Sequence, residues 1–427
     1  MTRKFFYGWW VVLASGIGVG CGVAVFIPAT VGVLAGPLQH TFGWSPQTIF
    51  TAPTVATTTT IAIAPFLGAL VDRIGARRII LFSYIAEALI IGSFHYLTPS
   101  PIWFLFRYAL LAIFATGTTA VAFAAVISKW FDRHRGLALG VALAGIGIGG
   151  VVWSLLTQTL SERYGWRNAM PIEAAVILLV ALPLLLIVIK ESPQQMGLTV
   201  DGDPLESKTK TQIRAERPQG GMTLAEAIRT RPYWLILLVA LLTGFGVQSI
   251  MLHLVSILKA SGESPRLAAQ TQATLWIALV LGRTSTGWLM DRFFAPRVAA
   301  AFLVPPIIGI FMLANGAING TAVVAAMLVG LAAGAEVDVI AFLCSRYFGL
   351  RNYSRIYATF FSFFALGSGF GPMLTARLAA GVHGYPPVLH GLALVLFLAA
   401  LIFFLFPKFT PFLTFSDPGI DPTSLRG

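Results

Sequence analysis

Twelve long apolar segments occupy most of this 427-residue chain and constrain its fold more than any other feature. A bilayer core of about 30 Å requires roughly 20 apolar residues for each helix that crosses it. The pattern therefore predicts an all-α polytopic membrane protein with twelve transmembrane helices and no sizeable soluble domain. The predicted segments fall near residues 9–34, 46–71, 79–98, 102–128, 137–160, 169–189, 232–258, 267–290, 298–316, 321–345, 356–379 and 388–407.

The distribution of charge predicts how these helices are oriented. Hydrophobic residues make up 57% of the chain and charged residues only 11%, with a net charge of +12. Lys and Arg cluster in the loops after helices 2, 4, 8 and 10, whereas the loops after helices 1, 3 and 9 carry none. Short basic clusters between apolar segments follow the positive-inside rule and do not form a nucleic-acid surface. We therefore expect both termini to be cytoplasmic and the protein to lie in an inner or plasma membrane.

A polar connection divides the predicted helices into two groups of six. We expect an amino-terminal bundle over residues 1–190, a cytoplasmic linker over 191–230, a carboxy-terminal bundle over 231–410 and a cytoplasmic tail over 411–427. The two cysteines lie inside apolar segments and offer neither a disulfide framework nor metal-ligand spacing. The chain has no phosphate-binding loop and no evident catalytic constellation. These features predict no metal, no cofactor and no enzymatic activity.

The two groups of helices repeat each other. The residues Gly68, Asp72 and Arg73 recur 219 residues later as Gly287, Asp291 and Arg292. A second pair of motifs agrees with this offset to within two residues: Lys129-Trp130-Phe131 and Arg346-Tyr347-Phe348. Two motif pairs at nearly one offset indicate two pseudo-symmetric six-helix halves of the same topology, with a binding site between them near the membrane midplane.

The stretch G-x-x-x-D-R-x-G-x-R-R after helix 2 resembles the signature of the major facilitator superfamily. The resemblance implies alternating access, with this motif holding the cytoplasmic gate through its acid, bases and small glycines. In the alternative interpretation, the basic residues only set membrane topology. The predicted gating residues are Gly68, Asp72, Arg73, Gly75, Arg77, Arg78, Gly287, Asp291 and Arg292.

Six shorter motifs are similar to those of bacterial monocarboxylate transporters, a group related to the oxalate/formate antiporters. They are YGWW, FGWSPQ, KWFDRHRGLALG, GWRNAM, ESPQQMGL and SRYFGLRNYSRIY. The resemblance implies a monomeric secondary active transporter that moves a small organic anion, such as lactate or pyruvate, together with a proton. The alternative is an exchanger or exporter of a larger aromatic or lipophilic compound, and a membrane-embedded receptor or enzyme is disfavoured by the repeat.

Three ionisable residues lie near the predicted midplane, where an unpaired charge is costly. Arg283 is eight residues from Asp291, so it lies about 12 Å into the membrane, and Glu336 and Asp338 on helix 10 reach a similar depth. A guanidinium in a low-dielectric cavity is suited to bidentate capture of a carboxylate. The family resemblance implies that Arg283 binds the substrate carboxylate; alternatively, it is only the permanent partner of one helix-10 acid.

The two helix-10 acids cannot both face one cavity, because two residues on a helix are separated by roughly 200°. One is expected to couple the proton and the other to support packing. Two departures from the related carriers matter: Leu279 replaces an aspartate one turn before the arginine, and helix 11 carries no second base. A single fixed cation favours a monoanion. Phe360 and Phe364 are predicted to contact an apolar substrate body, or alternatively to face lipid or pack in the core.

Two further ionisable residues remain as candidates. His253 lies towards the outer end of helix 7 and is a candidate for proton coupling, with a structural histidine as the alternative. Glu87 reaches midplane depth on helix 3, which the resemblance implies is peripheral. We therefore rank Glu87 below the helix-10 acids.

Overall fold

The computed structural model describes residues 6–202, 220–381 and 384–409, and this part of the chain is almost entirely helical. Twelve helical spans follow one another along the chain. They are α1 (Gly8–Phe42), α2 (Pro46–Ile74), α3 (Ala76–Tyr96), α4 (Pro101–Phe114 with Ala120–Trp130), α5 (Arg135–Tyr164), α6 (Trp166–Val188), α7 (Arg231–Ala260), α8 (Pro265–Met290), α9 (Ala295–Ala314), α10 (Asn319–Phe348), α11 (Tyr353–Ala379) and α12 (Tyr385–Phe403).

Nine of the helices in the described residues are long and apolar enough to cross a membrane. The other three spans differ for identifiable reasons. α4 is interrupted, and each of its two pieces is short. α8 and α11 are 26 and 27 residues long and carry arginine and hydroxyl side chains that lower their hydropathy. At 1.5 Å per residue each is about 40 Å long, which is enough to span a bilayer, so the prediction of twelve helices is confirmed.

Two helices of the first half are broken at adjoining positions. Gly22 interrupts α1 with an extended backbone, and Thr116–Thr118 interrupt α4 with a single 3₁₀ turn. The backbone N–H of Val23 donates to the hydroxyl of Thr118 at 3.0 Å. A Cβ at Gly22 would lie 2.3 Å from the carbonyl oxygen of Thr118. The close approach therefore requires glycine, and it places both breaks together inside the first half.

The two six-helix halves, α1–α6 and α7–α12, are in contact as far inward as the hydrogen bond from Ser362 Oγ to the carbonyl of Ile61, and this contact begins at one end of the molecule. We call this the basic end; it carries the loops after α2, α4, α8 and α10. Here α2 packs against α11 and α5 packs against α8. At the opposite end, loops of the same half are tied together. Trp44 donates to the carbonyl of Pro99 at 2.8 Å, and Glu263 accepts from the backbone of Asn319 at 2.5 Å.

The described parts of the polar connection between the halves are held at the basic end. Asp201 accepts hydrogen bonds from the backbone N–H groups of Asp132 and Arg133, in the loop between α4 and α5. Gly221 pairs with Gly349, in the equivalent loop between α10 and α11. Residues 203–219 and 410–427 lie outside the described residues, and the predicted domain boundaries stay a prediction.

Candidate functional site

An ion pair between α8 and α10 lies deep inside the second half. Arg283 Nη1 donates to Asp338 Oδ1 at 2.8 Å. Arg283 is 4% exposed and Asp338 is fully buried. Glycines bring the two helices into backbone contact, because a Cβ at Gly334 would lie 2.2 Å from the carbonyl oxygen of Leu279. Arg283 and Asp338, which the sequence predicts to lie at a similar depth, are therefore in direct contact.

The ion pair leaves part of its hydrogen-bonding capacity unused. Among the described residues, Arg283 Nε and Asp338 Oδ2 are buried without a hydrogen-bond partner. A guanidinium offers five N–H donors in a planar fork, and one contact to Asp338 occupies only part of that fork. Buried polar atoms are usually satisfied, so these two unpartnered atoms make the ion pair a candidate binding position.

A buried tyrosine on α11 is a further candidate near this ion pair. Tyr357 is fully buried, and its hydroxyl has no hydrogen-bond partner among the described residues. It lies close enough to interact electrostatically with both Arg283 and Asp338. The ring of Phe361 lies 6.4 Å from the Tyr357 ring. Tyr357 was not among the residues predicted from the sequence, because nothing in an aromatic run marks a hydroxyl that lacks a partner.

The second acid of α10 faces a different helix. Glu336 Oε2 accepts a hydrogen bond from Gln248 Nε2 of α7 at 3.2 Å, and Oε1 has no partner among the described residues. Glu336 also lines a pocket with Thr243 of α7, Phe302 of α9 and Phe403 of α12. The two acids therefore point to different sides of α10, as their angular separation requires. Gln248 was not among the residues predicted from the sequence.

The phenylalanines predicted to contact substrate lie in packed positions. Phe360 is fully buried between Tyr233 and Phe348, with ring centroids 5.1 and 5.9 Å away. Phe364 is 8% exposed and packs against Gly244 of α7. These positions match the alternative of core packing in this conformation. Contact of Phe360 and Phe364 with a substrate stays a prediction.

His253 connects three helices near the end opposite the basic end. Its Nε2 lies 3.0 Å from the carbonyl oxygen of Pro372 in α11, and its Nδ1 lies 3.4 Å from the hydroxyl of Tyr385 in α12. The Nε2 contact requires a proton on that nitrogen, because a carbonyl oxygen only accepts. These contacts match the alternative of a structural histidine that connects α7 to α11 and α12. A role of His253 in proton coupling stays a prediction.

The two repeated aspartates join the halves at the basic end. Asp72 of α2 accepts hydrogen bonds from the backbone N–H groups of Ser354 and Arg355, both at 2.9 Å. Its counterpart Asp291 accepts from the N–H groups of Gly136 and Leu137, at 2.7 and 2.9 Å. Each carboxylate therefore caps the first turn of a helix in the other half, where the helix dipole favours negative charge. We call these two contacts the latches.

The glycines of the repeated motif allow the latches to form. A Cβ at Gly68 would lie 2.3 Å from the carbonyl oxygen of Ser354, and a Cβ at Gly287 would lie 2.3 Å from that of Gly136. A larger residue at either position would push the halves apart. Arg135 and Arg346 add contacts across the same interface, to Ser345 and Asp132 respectively.

The basic residues of the motif have several partners. Arg77 donates to the carbonyl of Leu186 at 2.9 Å, and Arg292 lies over the ring of Trp288 at 3.6 Å. Gly75 has a φ of 100°, which permits the sharp turn between α2 and α3. Arg73 and Arg78 are exposed.

Glu191, just beyond α6, binds the start of α3. It accepts from the N–H groups of Ala76 and Arg77 and forms an ion pair with Lys129. Burial alone would raise the pKa of Glu191, but Lys129 and the two backbone donors outweigh it and hold the pKa below its usual range. The carboxylate therefore stays ionised at neutral pH and anchors this part of the basic end.

Weakening one latch is expected to open the basic end. Asp72→Asn removes the charge and one of two acceptor oxygens, and a hydrogen bond to a charged group contributes about 1.5–3 kcal/mol. Cys344 is fully buried in α10 near this latch. With Cys21 replaced by serine, we expect maleimide to label Cys344 roughly tenfold faster in the variant at constant pH.

Two variants control this experiment. Asp291→Asn weakens the second latch and should change labelling in the same direction. Glu162→Gln neutralises an exposed acid of α5, away from the basic end, and should leave labelling unchanged. Unchanged labelling in both latch variants would contradict a gating role for the repeated aspartates.

Comparison with known proteins identifies the family. The model of the Major Facilitator Superfamily matches residues 13–372, which is most of the chain. The chain belongs to this superfamily, and it is therefore a multi-pass membrane transporter and not an enzyme. The fold, the pseudo-symmetric halves and the repeated motif predicted from the sequence agree with this assignment.

The similar curated proteins include several monocarboxylate transporters. Monocarboxylate transporter 11 of Mus musculus is 26% identical over 385 residues, covering 87% of this chain and 81% of that protein. Monocarboxylate transporter 13 of Rattus norvegicus is 27% identical over 285 residues, covering 65% of this chain and 60% of that protein. Monocarboxylate transporter 13 of Bos taurus is 28% identical over 191 residues, covering 44% and 40%. The last two matches span less than two thirds of the relatives' length.

Solved transporter structures share the fold. The proton:xylose symporter XylE, bound to 6-bromo-6-deoxy-D-glucose, matches with a TM-score of 0.73 at 15% identity, over 94% of this chain and 96% of that chain. The fucose:proton symporter of E. coli matches with a TM-score of 0.64 at 13% identity, over 93% and 98%. At these identities the likeness establishes the fold alone.

Proposed function

We propose that this protein takes up a small monocarboxylate together with a proton across a bacterial inner membrane, with both termini in the cytoplasm. The observation that carries the proposal is the buried pair of Arg283 and Asp338, in which each side chain keeps an unpartnered polar atom. The names of the similar curated proteins support the substrate class. The basic loops support the orientation.

The ion pair provides a means of coupling anion to proton. A substrate carboxylate competes with Asp338 for the guanidinium of Arg283 and can engage two of its N–H donors side by side. Asp338, once displaced, would be an unpaired buried charge, which is costly at this depth. Binding a proton at Asp338 removes that charge. The site then carries the same net charge when empty and when loaded with one anion and one proton.

The latches indicate the side of the membrane from which the substrate binds. With the basic end in the cytoplasm, the structure is closed towards the cytoplasm, so the substrate and proton enter from outside. Rocking of the halves then breaks the contacts of Asp72 and Asp291 and opens the basic end, in the manner of alternating access. After the substrate and the proton are released, Arg283 and Asp338 pair again. The empty carrier can therefore return without a proton on Asp338. A monomer is sufficient for this cycle.

Uptake by purified protein in proteoliposomes tests the proposal. The labelled panel comprises lactate, pyruvate, a longer aliphatic acid, benzoate and oxalate, each with and without an inward proton gradient. We expect gradient-driven accumulation of one or more monoanions and none of the dianion oxalate. Two results would contradict the proposal. One is accumulation that does not depend on the proton gradient, and the other is folded protein that transports none of the anions.

Exchange or export of a larger aromatic or lipophilic compound is the second candidate. The buried Tyr357 and the neighbouring Phe361 favour it, because aromatic side chains beside a cation can contact an aromatic acid. The same panel separates the two candidates. Preference for benzoate, or exchange without net accumulation, would support the second candidate.

A further inference from the structure

The first half contains a buried carboxyl group that the proposed cycle does not use. Glu87 of α3 is fully buried, and neither of its carboxyl oxygens has a hydrogen-bond partner among the described residues. The hydroxyl of Thr118 is its polar neighbour in α4. That hydroxyl already donates to the carbonyl of Ala115 at 2.8 Å and accepts from the N–H of Val23 at 3.0 Å. Both hydrogen bonds lie at the junction of the two broken helices. The only proton of this hydroxyl is therefore already donated and cannot also be donated to Glu87.

The titratable and charged groups around Glu87 give it no positive partner. Cys21 of α1 and Tyr84 of α3 are the ionisable neighbours, and Tyr84 donates its hydroxyl to the carbonyl of Gly18. On α6, Glu173 lies further towards the end opposite the basic end, where it accepts from Thr157 at 2.5 Å. On α4, Arg107 donates to Ser93 at 3.1 Å near that end. On α2, Asp72 and Arg73 lie at the basic end.

A carboxylate without a donor or a cation in the membrane interior is strongly disfavoured, and such a group takes up a proton instead. A metal cation is a poorer occupant. A Cβ at Gly117 would already lie 2.4 Å from Ser83 Oγ, and one at Gly22 would lie 2.3 Å from the Thr118 carbonyl. This packing leaves little space for the shell of oxygen ligands that a hard cation requires.

We propose that Glu87 is a second proton-binding site of this transporter, located where α1 and α4 are broken and separate from the Arg283–Asp338 pair. The segments Val23–Phe42 and Ala120–Trp130 both begin at these breaks. Apart from the hydrogen bond from the Val23 N–H to the Thr118 hydroxyl, neither has a side-chain cap among the described residues. Their first-turn N–H groups are the local donors that an ionised Glu87 could accept from if the breaks opened. Protonation of Glu87 therefore stabilises the present arrangement of α1 and α4, and loss of the proton favours bending at the breaks.

Infrared spectroscopy of the purified protein tests the proton directly. A protonated carboxyl group has a carbonyl stretching band that an ionised carboxylate lacks. At neutral pH without substrate, we expect this band in the wild-type protein, its reduction by one carboxyl group in Glu87→Gln, and its retention in Glu87→Asp. The matched control Glu173→Gln removes a different buried acid of the same half and should leave the Glu87 component unchanged.

A distance measurement tests the conformational consequence. Met196, just beyond α6, and Phe293, just beyond α8, are exposed at the basic end and can carry spin labels in a background without Cys21 and Cys344. We expect the population open at the basic end to increase with pH in the wild type, by up to about tenfold per pH unit for one proton. Glu87→Gln, which mimics the protonated acid, should remain closed throughout the pH range in which the latch carboxylates Asp72 and Asp291 stay ionised.

Three outcomes would overturn the proposal. They are an unchanged band in Glu87→Gln, loss of the band on adding sodium at constant pH, and an increase of the open population with rising pH that persists in Glu87→Gln. Because no substrate is present, each outcome is independent of whether the transported compound is a monocarboxylate.

Discussion

Replacing Arg283 with alanine should reduce transport of the anion by roughly a hundredfold or more while the protein still folds. Two charge-assisted hydrogen bonds to the substrate carboxylate would be lost, each contributing about 1.5–3 kcal/mol. The basis for the expectation is that Arg283 is 4% exposed and has an unpartnered Nε. Initial uptake rates in proteoliposomes, normalised to folded protein, measure the effect.

Two further variants separate loss of the binding site from loss of folding. Arg283→Ala leaves Asp338 as an unpaired buried acid, so the double variant with Asp338→Ala removes that penalty and should recover thermal stability without transport. Arg283→Lys keeps the charge but lacks the planar fork, so binding should be only partly retained. Wild-type uptake by the double variant would show that Arg283 is a structural charge and not the substrate anchor.

Asp338→Asn should abolish accumulation driven by a proton gradient while leaving exchange of substrate for substrate intact. The amide resembles the protonated acid but cannot release a proton, and it no longer competes with the substrate for Arg283. The variant therefore binds the anion and reorients when loaded. Net uptake and counterflow measured in the same proteoliposomes distinguish the two activities.

The other acid of α10 is the matched control for this experiment. Glu336→Gln should retain coupled uptake, because Glu336 accepts a hydrogen bond from Gln248 of α7, whereas Arg283 forms its ion pair with Asp338. Asp338→Asn also leaves Arg283 without its counter-ion, so a loss of about 3–5 kcal/mol in stability is expected. Full accumulation by Asp338→Asn together with its loss in Glu336→Gln would reassign the coupling proton to Glu336.

The architecture was predictable because it depends on signals that are local in the sequence. Runs of apolar residues define each span, and the repeat of Gly68, Asp72 and Arg73 defines the two halves. The contact of a repeated aspartate with a helix amino terminus also follows from simple chemistry, since a carboxylate suits that end of a helix. The partner helices, α11 for Asp72 and α5 for Asp291, follow only from the three-dimensional packing.

The partners of the buried acids could not be derived from the sequence. Depth could be estimated from helical rise, but the choice between Glu336 and Asp338 depends on the rotation of α10, which packing sets. Tyr357 was missed because a tyrosine in an aromatic run gives no sign of an unpartnered hydroxyl. The breaks beside Glu87 were missed for a similar reason, since Gly22 and Thr116–Thr118 lie within apolar stretches that continue on both sides.

The most direct test of the central claim is to follow external pH while an unlabelled monocarboxylate is added to proteoliposomes that contain the wild-type protein. The account predicts that the medium becomes more alkaline as substrate enters, with one proton taken up for each anion, and that Arg283→Ala shows no such change. Entry of the anion without any change in pH would contradict proton coupling at this site.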